Sequence, residues 1–98
     1  MSDHYILEGH KAVPADLMQW AEFFENTAGR TVALTMVGKV RVSTVFLGID
    51  HSFGSGRGPL LFETMIFGGK HDQYQERYVT WEEAEAGHAE AVKLAEGT

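Results

Sequence analysis

The chain has 98 residues, 44% of them hydrophobic and 22% charged, which is the size of one domain and a globular rather than a disordered or membrane-embedded composition. It has no cysteine, which excludes disulfides, thiolate zinc sites, iron–sulfur clusters and thiol nucleophiles. Fourteen acidic against eight scattered basic residues give a formal charge of −6 and argue against nucleic acid as a partner.

The start, "MSDHYILEGHK", has no charged segment followed by an apolar one, so it does not read as a signal peptide. No run reaches the roughly 18–20 apolar residues of a membrane span. The expectation is a soluble cytoplasmic protein with no membrane partner.

Taken in chain order, "HYILEG" (4–9) reads as a short strand. "VPADLMQWAEFFENTAG" (13–29) reads as a helix: Pro14 suits its first turn, Asp16 and Gln19 have capping-box spacing, and Gly29 stands where a C-terminal cap belongs. Leu17, Trp20, Ala21 and Phe24 form its apolar face. "RTVALTMVGKVRVSTVFLGID" (30–50) reads as two strands about a Gly38-Lys39 type II′ turn, with Val37 opposite Val40, Thr35 opposite Val42 and Ala33 opposite Thr44. "PLLFETMIF" (59–67) and "QYQERYVT" (73–80) are two further strands. "TWEEAEAGHAEAVKLAEG" (80–97) is a helix, opened by the Thr80–Glu83 capping box. The order β-α-β-β-β-β-α is that of an α+β domain with a mainly antiparallel sheet.

Alternation along the 30–50 hairpin puts Val32, Leu34, Met36, Val45, Leu47 and Ile49 on one side. Ala33, Val37, Val40, Val42 and Phe46, with Thr35 and Thr44, take the other. In 59–67, Leu60, Phe62 and Ile66 face one way and Leu61, Met65 and Phe67 the other. Two short helices cover one such face, and the remaining apolar face points to a homo-oligomer or a protein partner. The alternative is a monomer whose helices and long loop wrap the sheet.

The chemistry-bearing stretch is "FLGIDHSFGSGRGPLLFETMIF" (46–67), two apolar runs joined by a glycine-rich loop. The amides of Gly54 and Gly56 and the guanidinium of Arg57 have the character of an anion cradle, with His51 at the loop mouth. The loop joins two strands and lacks P-loop spacing, so a plain hairpin tip is the competing reading. Glu63 inside the second run reads as an ion-pair partner of Arg41 or Arg77. The five histidines have no metal-ligand spacing, so no metal is expected. In the last helix Trp81, Ala84, His88, Ala91, Val92 and Ala95 share a stripe beside an acidic remainder. His88 there reads as a hydrogen-bonded core or interface residue, and Trp81 as a core lid or a stacking surface for a base. Ser43, Ser52 and Ser55 have no base at a motif spacing, so neither catalysis nor a cofactor is expected.

The strings "VRVSTVFLGIDHSFGSGRGPLLFETMIFGG" and "ERYVTWEEAEAGHAEAV", with "PADLMQWAEFF" upstream, resemble a family of small uncharacterised proteins of phage and prophage genomes. The resemblance implies an accessory protein acting in the host cytoplasm, where small viral proteins often antagonise defence. It carries no catalytic residues across. Joined to the loop, it gives the expectation of a sponge that sequesters a small anionic ligand such as a nucleotide immune signal. Arg57 and the glycine amides would take phosphate, and His51 with Tyr74, Arg77 or Trp81 the base or ribose. The alternatives are an inhibitor that grips a host defence protein and an accessory of the virion or its assembly.

Overall fold

In the computed structural model, which describes residues 4–25, 28–52 and 58–97, the first strand has a second arm. β1 (Tyr5–Glu8) pairs antiparallel with β2 (Lys11–Pro14) across Gly9-His10, with Gly9 at φ +62°. Pro14 therefore ends a strand instead of opening a helix. It stands opposite Tyr5 at the last rung, where a residue without an N–H is tolerated. α1 (Leu17–Phe24) begins after Asp16, whose carboxylate accepts the Gln19 N–H at 2.8 Å while the Gln19 amide oxygen accepts the Asp16 N–H at 3.0 Å. The capping box is the expected one. The helix is shorter than 13–29 because its front is claimed by β2 and Gly29 lies in a separate 3-10 turn, Ala28–Arg30.

The next four strands form one antiparallel sheet in chain order: β3 (Thr31–Val37), β4 (Val40–Phe46), β5 (Phe62–Phe67) and β6 (Gln75–Tyr78). Gly38 at φ +62°, followed by Lys39 at negative φ, is the expected type II′ turn, and the three cross-strand pairs expected from it are present. Beyond Ala33 the register shifts, because Val32 is an extra residue between the pairs Ala33–Thr44 and Thr31–Val45. The bulge turns Val32 into the core beside Phe46 and Phe62, not onto the side of Leu34 and Met36 where plain alternation put it.

α2 (Trp81–Glu96) is capped as expected: Thr80 Oγ1 accepts the Glu83 N–H at 3.1 Å, and Glu83 Oε1 accepts the Thr80 N–H at 3.2 Å. It lies on the sheet face made by Val42, Thr44, Phe46, Phe62, Thr64 and Ile66, all buried. Ala84, Ala91 and Ala95 are its buried contacts, and their small side chains let it lie close. Phe23 and Phe24 of α1 and Tyr5, Leu7 and Ala12 of the first hairpin close the same face at the Phe46–Phe62 end. Leu60 and Leu61 precede β5 and are both buried rather than split between faces. Among the described residues no helix covers the other face, which presents Leu34, Met36, Val45, Met65 and Phe67 among Arg41, Ser43, Glu63 and Arg77.

Candidate functional site

The loop that follows β4 is drawn together at its base by Asp50. One carboxylate oxygen, Oδ1, accepts the N–H of Ser52 at 2.8 Å and that of Leu60, across the loop, at 3.0 Å. Burial works to raise the Asp50 pKa, but the bonds from Ser52 and Leu60 and the neighbouring His51 outweigh it, and the carboxyl titrates below its ordinary value. His51 is held to the same neck: its N–H donates to Leu60 O at 3.0 Å and its Nδ1 donates to Ile49 O at 2.7 Å. Gly54, Gly56 and Arg57 lie outside the described residues. Pro59, two residues after Arg57, lines a cavity of about 470 Å³.

That cavity lies between the first hairpin and the opening turn of α2, and Tyr5, His10, Leu61, Phe62 and Trp81 give it an aromatic and apolar wall. Trp81 is fixed there by the Thr80 cap, which sets it as the first helical residue, and by the edge of Phe62, 6.3 Å away at 87°. His10, carried by the β1–β2 turn, lies flat on the Trp81 indole with ring centroids 3.9 Å apart and planes within 6°. The charged groups of the wall are Lys11, Glu8 and Glu82, so it carries no excess of positive charge.

The other expected site residues are placed elsewhere. Tyr74 lines a second cavity of about 440 Å³ with Lys70, His71, Glu90 and Lys93, at the C-terminal end of α2. Burial, then Glu76 and Glu90, push its phenol pKa up. At 1.5 Å per residue this is about 20 Å along the helix from Trp81. Arg77 is on the uncovered sheet face, with Nε donating to Glu63 Oε2 at 2.9 Å; Gln75 Nε2 donates to the same oxygen at 2.6 Å. The ion pair expected of Glu63 is thus with Arg77. His51 is not among the residues that line the Trp81 cavity. Of the expected residues that are described, Trp81 alone lines this cavity, beside the loop's exit at Pro59, and His51, Tyr74 and Arg77 do not join it.

His10, Tyr5 and Lys11 complete that place and were not singled out from the sequence. The signal for them was the turn "EGHK", which brings them onto α2 only if 5–14 is read as a hairpin.

His88 is a core residue, as its place in the stripe implied. Its Nε2 lies 2.8 Å from Thr35 Oγ1 and its Nδ1 2.7 Å from Thr44 Oγ1, which in turn bonds Thr64 Oγ1. Burial pushes its pKa down, so the imidazole is held neutral. On the uncovered face Arg41, Ser43, Val45, Glu63, Met65 and Phe67 outline a groove of about 270 Å³, with the Arg41 guanidinium 4.5 Å from the Phe67 ring centre. Among the described residues no group of three or more His, Asp or Glu side chains is arranged to hold a metal ion.

Comparison with protein-family models, with curated proteins and with solved structures finds no match in any of the three. Among the described residues no helix is long and apolar enough to cross a membrane.

Proposed function

We propose that this is a non-catalytic binding protein that sequesters a small anionic ligand with a flat ring, such as a nucleotide signal, in the cavity between the first hairpin and α2. The observation that carries the reading is the flat seat of His10 on Trp81 at a cavity whose size is that of a small-molecule site. A nucleobase has the shape to take the same seat, and stacking on an aromatic side chain is worth about 1–3 kcal/mol. The described wall supplies no net positive charge, so the phosphate end falls to Arg57 and the amides of Gly54 and Gly56. Ring recognition belongs to Trp81 and charge recognition to the loop. The viral setting, the host cytoplasm and an anti-defence role rest on the resemblance of residues 14–24, 40–69 and 76–92.

Calorimetric titration with a panel of cyclic and linear nucleotides and their nucleosides tests this. Nucleotides are expected to bind, with Trp81→Leu weakening all of them tenfold or more and Arg57→Ala weakening only the phosphorylated ones. No heat from any member at high micromolar concentration overturns the reading.

A second reading, a protein-binding inhibitor of a host defence enzyme, is favoured by the uncovered sheet face, where Leu34 and Met36 are each 58% exposed. It expects a stable complex with one host protein that Met36→Glu abolishes and Trp81→Leu leaves intact.

A further inference from the structure

The two edges of the four-stranded sheet are chemically unlike. β6 is four residues long and carries Glu76 and Arg77, and short length with charge is what keeps an edge from pairing with another chain. β3 is seven residues long, Thr-Val-Ala-Leu-Thr-Met-Val, with no charge and no proline. Its bulge lies at Val32, so residues 33–37 are regular extended backbone.

The turn fixes which backbone groups of β3 are spent. In a two-residue hairpin loop the flanking residues, here Val37 and Val40, exchange both hydrogen bonds. Thr35 and Ala33 follow at intervals of two and also direct their N–H and C=O toward β4. Leu34 and Met36 direct theirs the other way, and among the described residues no strand meets them there.

We propose that β3 is a dimerisation edge, paired antiparallel with the β3 of a second copy about a two-fold axis at Thr35. In this register Leu34 of each copy lies opposite Met36 of the other, and the two pairs exchange four backbone hydrogen bonds. The sheet becomes one of eight strands. On its uncovered face the exposed Leu34 of each copy packs against Met36 of the other, extending the apolar surface of Val45, Met65 and Phe67 across the axis.

A second copy is the occupant because the seam is complementary to itself. The two outward-facing residues flank Thr35 symmetrically, as an isologous contact demands. An uncharged strip also lets two chains of net charge −6 meet without like charges at the contact. Lys39, in the adjoining turn, falls opposite Thr31 of the other copy, beyond the regular pairing. A seam confined to residues 33–37 of each copy is expected to be a weak contact, with a dissociation constant in the micromolar range. The inference does not depend on what occupies the Trp81 cavity.

Sedimentation equilibrium between about 1 and 200 µM tests it. The native chain is expected to move from its 10.9 kDa mass to twice that mass across the range. Leu34→Lys, with an unchanged far-ultraviolet circular dichroism spectrum, is expected to weaken association at least tenfold. Gln75→Lys on the opposite edge is expected to leave it unchanged. The register has its own readout in this cysteine-free chain. Thr35 faces its copy in a non-hydrogen-bonded pair, with Cα atoms about 4.5 Å apart, inside the range a disulfide spans. Thr35→Cys should therefore cross-link under mild oxidation and Gln75→Cys should not. A native chain that stays monomeric, a dimer that survives Leu34→Lys, or one that dissociates through Gln75→Lys overturns the proposal.

Discussion

His88 bridges α2 and the sheet through hydroxyls that have little choice of partner. Replacing it with leucine leaves the Thr35 hydroxyl half-buried without its bond, whereas Thr44 keeps Thr64. An orphaned buried polar group costs about 1–3 kcal/mol, so His88→Leu should lower the urea midpoint by that equivalent. Thr35→Val added to it should recover part of the loss, since both ends of the bond are then removed; a double-mutant cycle measures the coupling. Gly87 presents the opposite conflict. A helix interior favours alanine over glycine by about 1 kcal/mol, yet a Cβ at Gly87 would overlap the buried Tyr78 ring and its hydroxyl. Forcing a methyl into filled space costs about 1–3 kcal/mol, so sterics win and Gly87→Ala should destabilise on thermal unfolding. Gly48 has no such contest, since positive φ (+75°) and the side chains of Phe24 and Trp20 both oppose any Cβ.

The elements differ in how much of them their own residues reveal. The Gly38-Lys39 turn and both capping boxes depend on contacts within four residues, and all three were legible. β2 was not, because what makes Lys11–Pro14 a strand is Tyr5–Glu8 folding back on it, and "VPAD" in isolation has the composition of a helix start. The Val32 bulge is equally silent, since no residue type marks an extra position in a strand. The candidate site shows the same division. Trp81 could be singled out, but its partner His10 is 71 positions away in the chain and reaches it only through the hairpin. Tyr74 and Trp81 are seven positions apart, and the intervening strand and the helix axis send them to different cavities. The loop neck belongs to this scale as well. Asp50→Ala removes the acceptor that joins Ser52 to Leu60, so the amide protons of those two residues should exchange faster with solvent than in the native chain, while those of β4 and β5 keep their protection.

For the molecule as a whole, one helix layer on one sheet layer gives a slab 19 Å across its thinnest dimension, with one side covered by helix and the other left open by the described residues. Its pH response follows from the groups whose pKa values are displaced. The folded-state pKa of His88 lies below its ordinary value near 6.5, so below about pH 6.5 the unfolded chain takes up a proton that the folded chain refuses. That contribution is whole above pH 6.5 and is lost as pH falls. Asp50 acts in a lower window: its stabilisation is present above about pH 3.8 and disappears as the pH drops through its depressed value. The melting temperature should therefore decline between pH 7 and 5, and the decline should be shallower in His88→Leu.

On the proposed function, the His10 ring on Trp81 would give the first hairpin a part in the ligand's arrival. The imidazole lies flat on the indole where the proposed planar ligand would stack, so such a ligand would have to compete with one of the protein's own side chains. Measured affinity is then the intrinsic affinity multiplied by the fraction of time the seat is vacant. His10→Ala, by clearing the seat, should tighten nucleotide binding and quicken association, and a mutation that improves the grip is an outcome that an ordinary contact residue does not give.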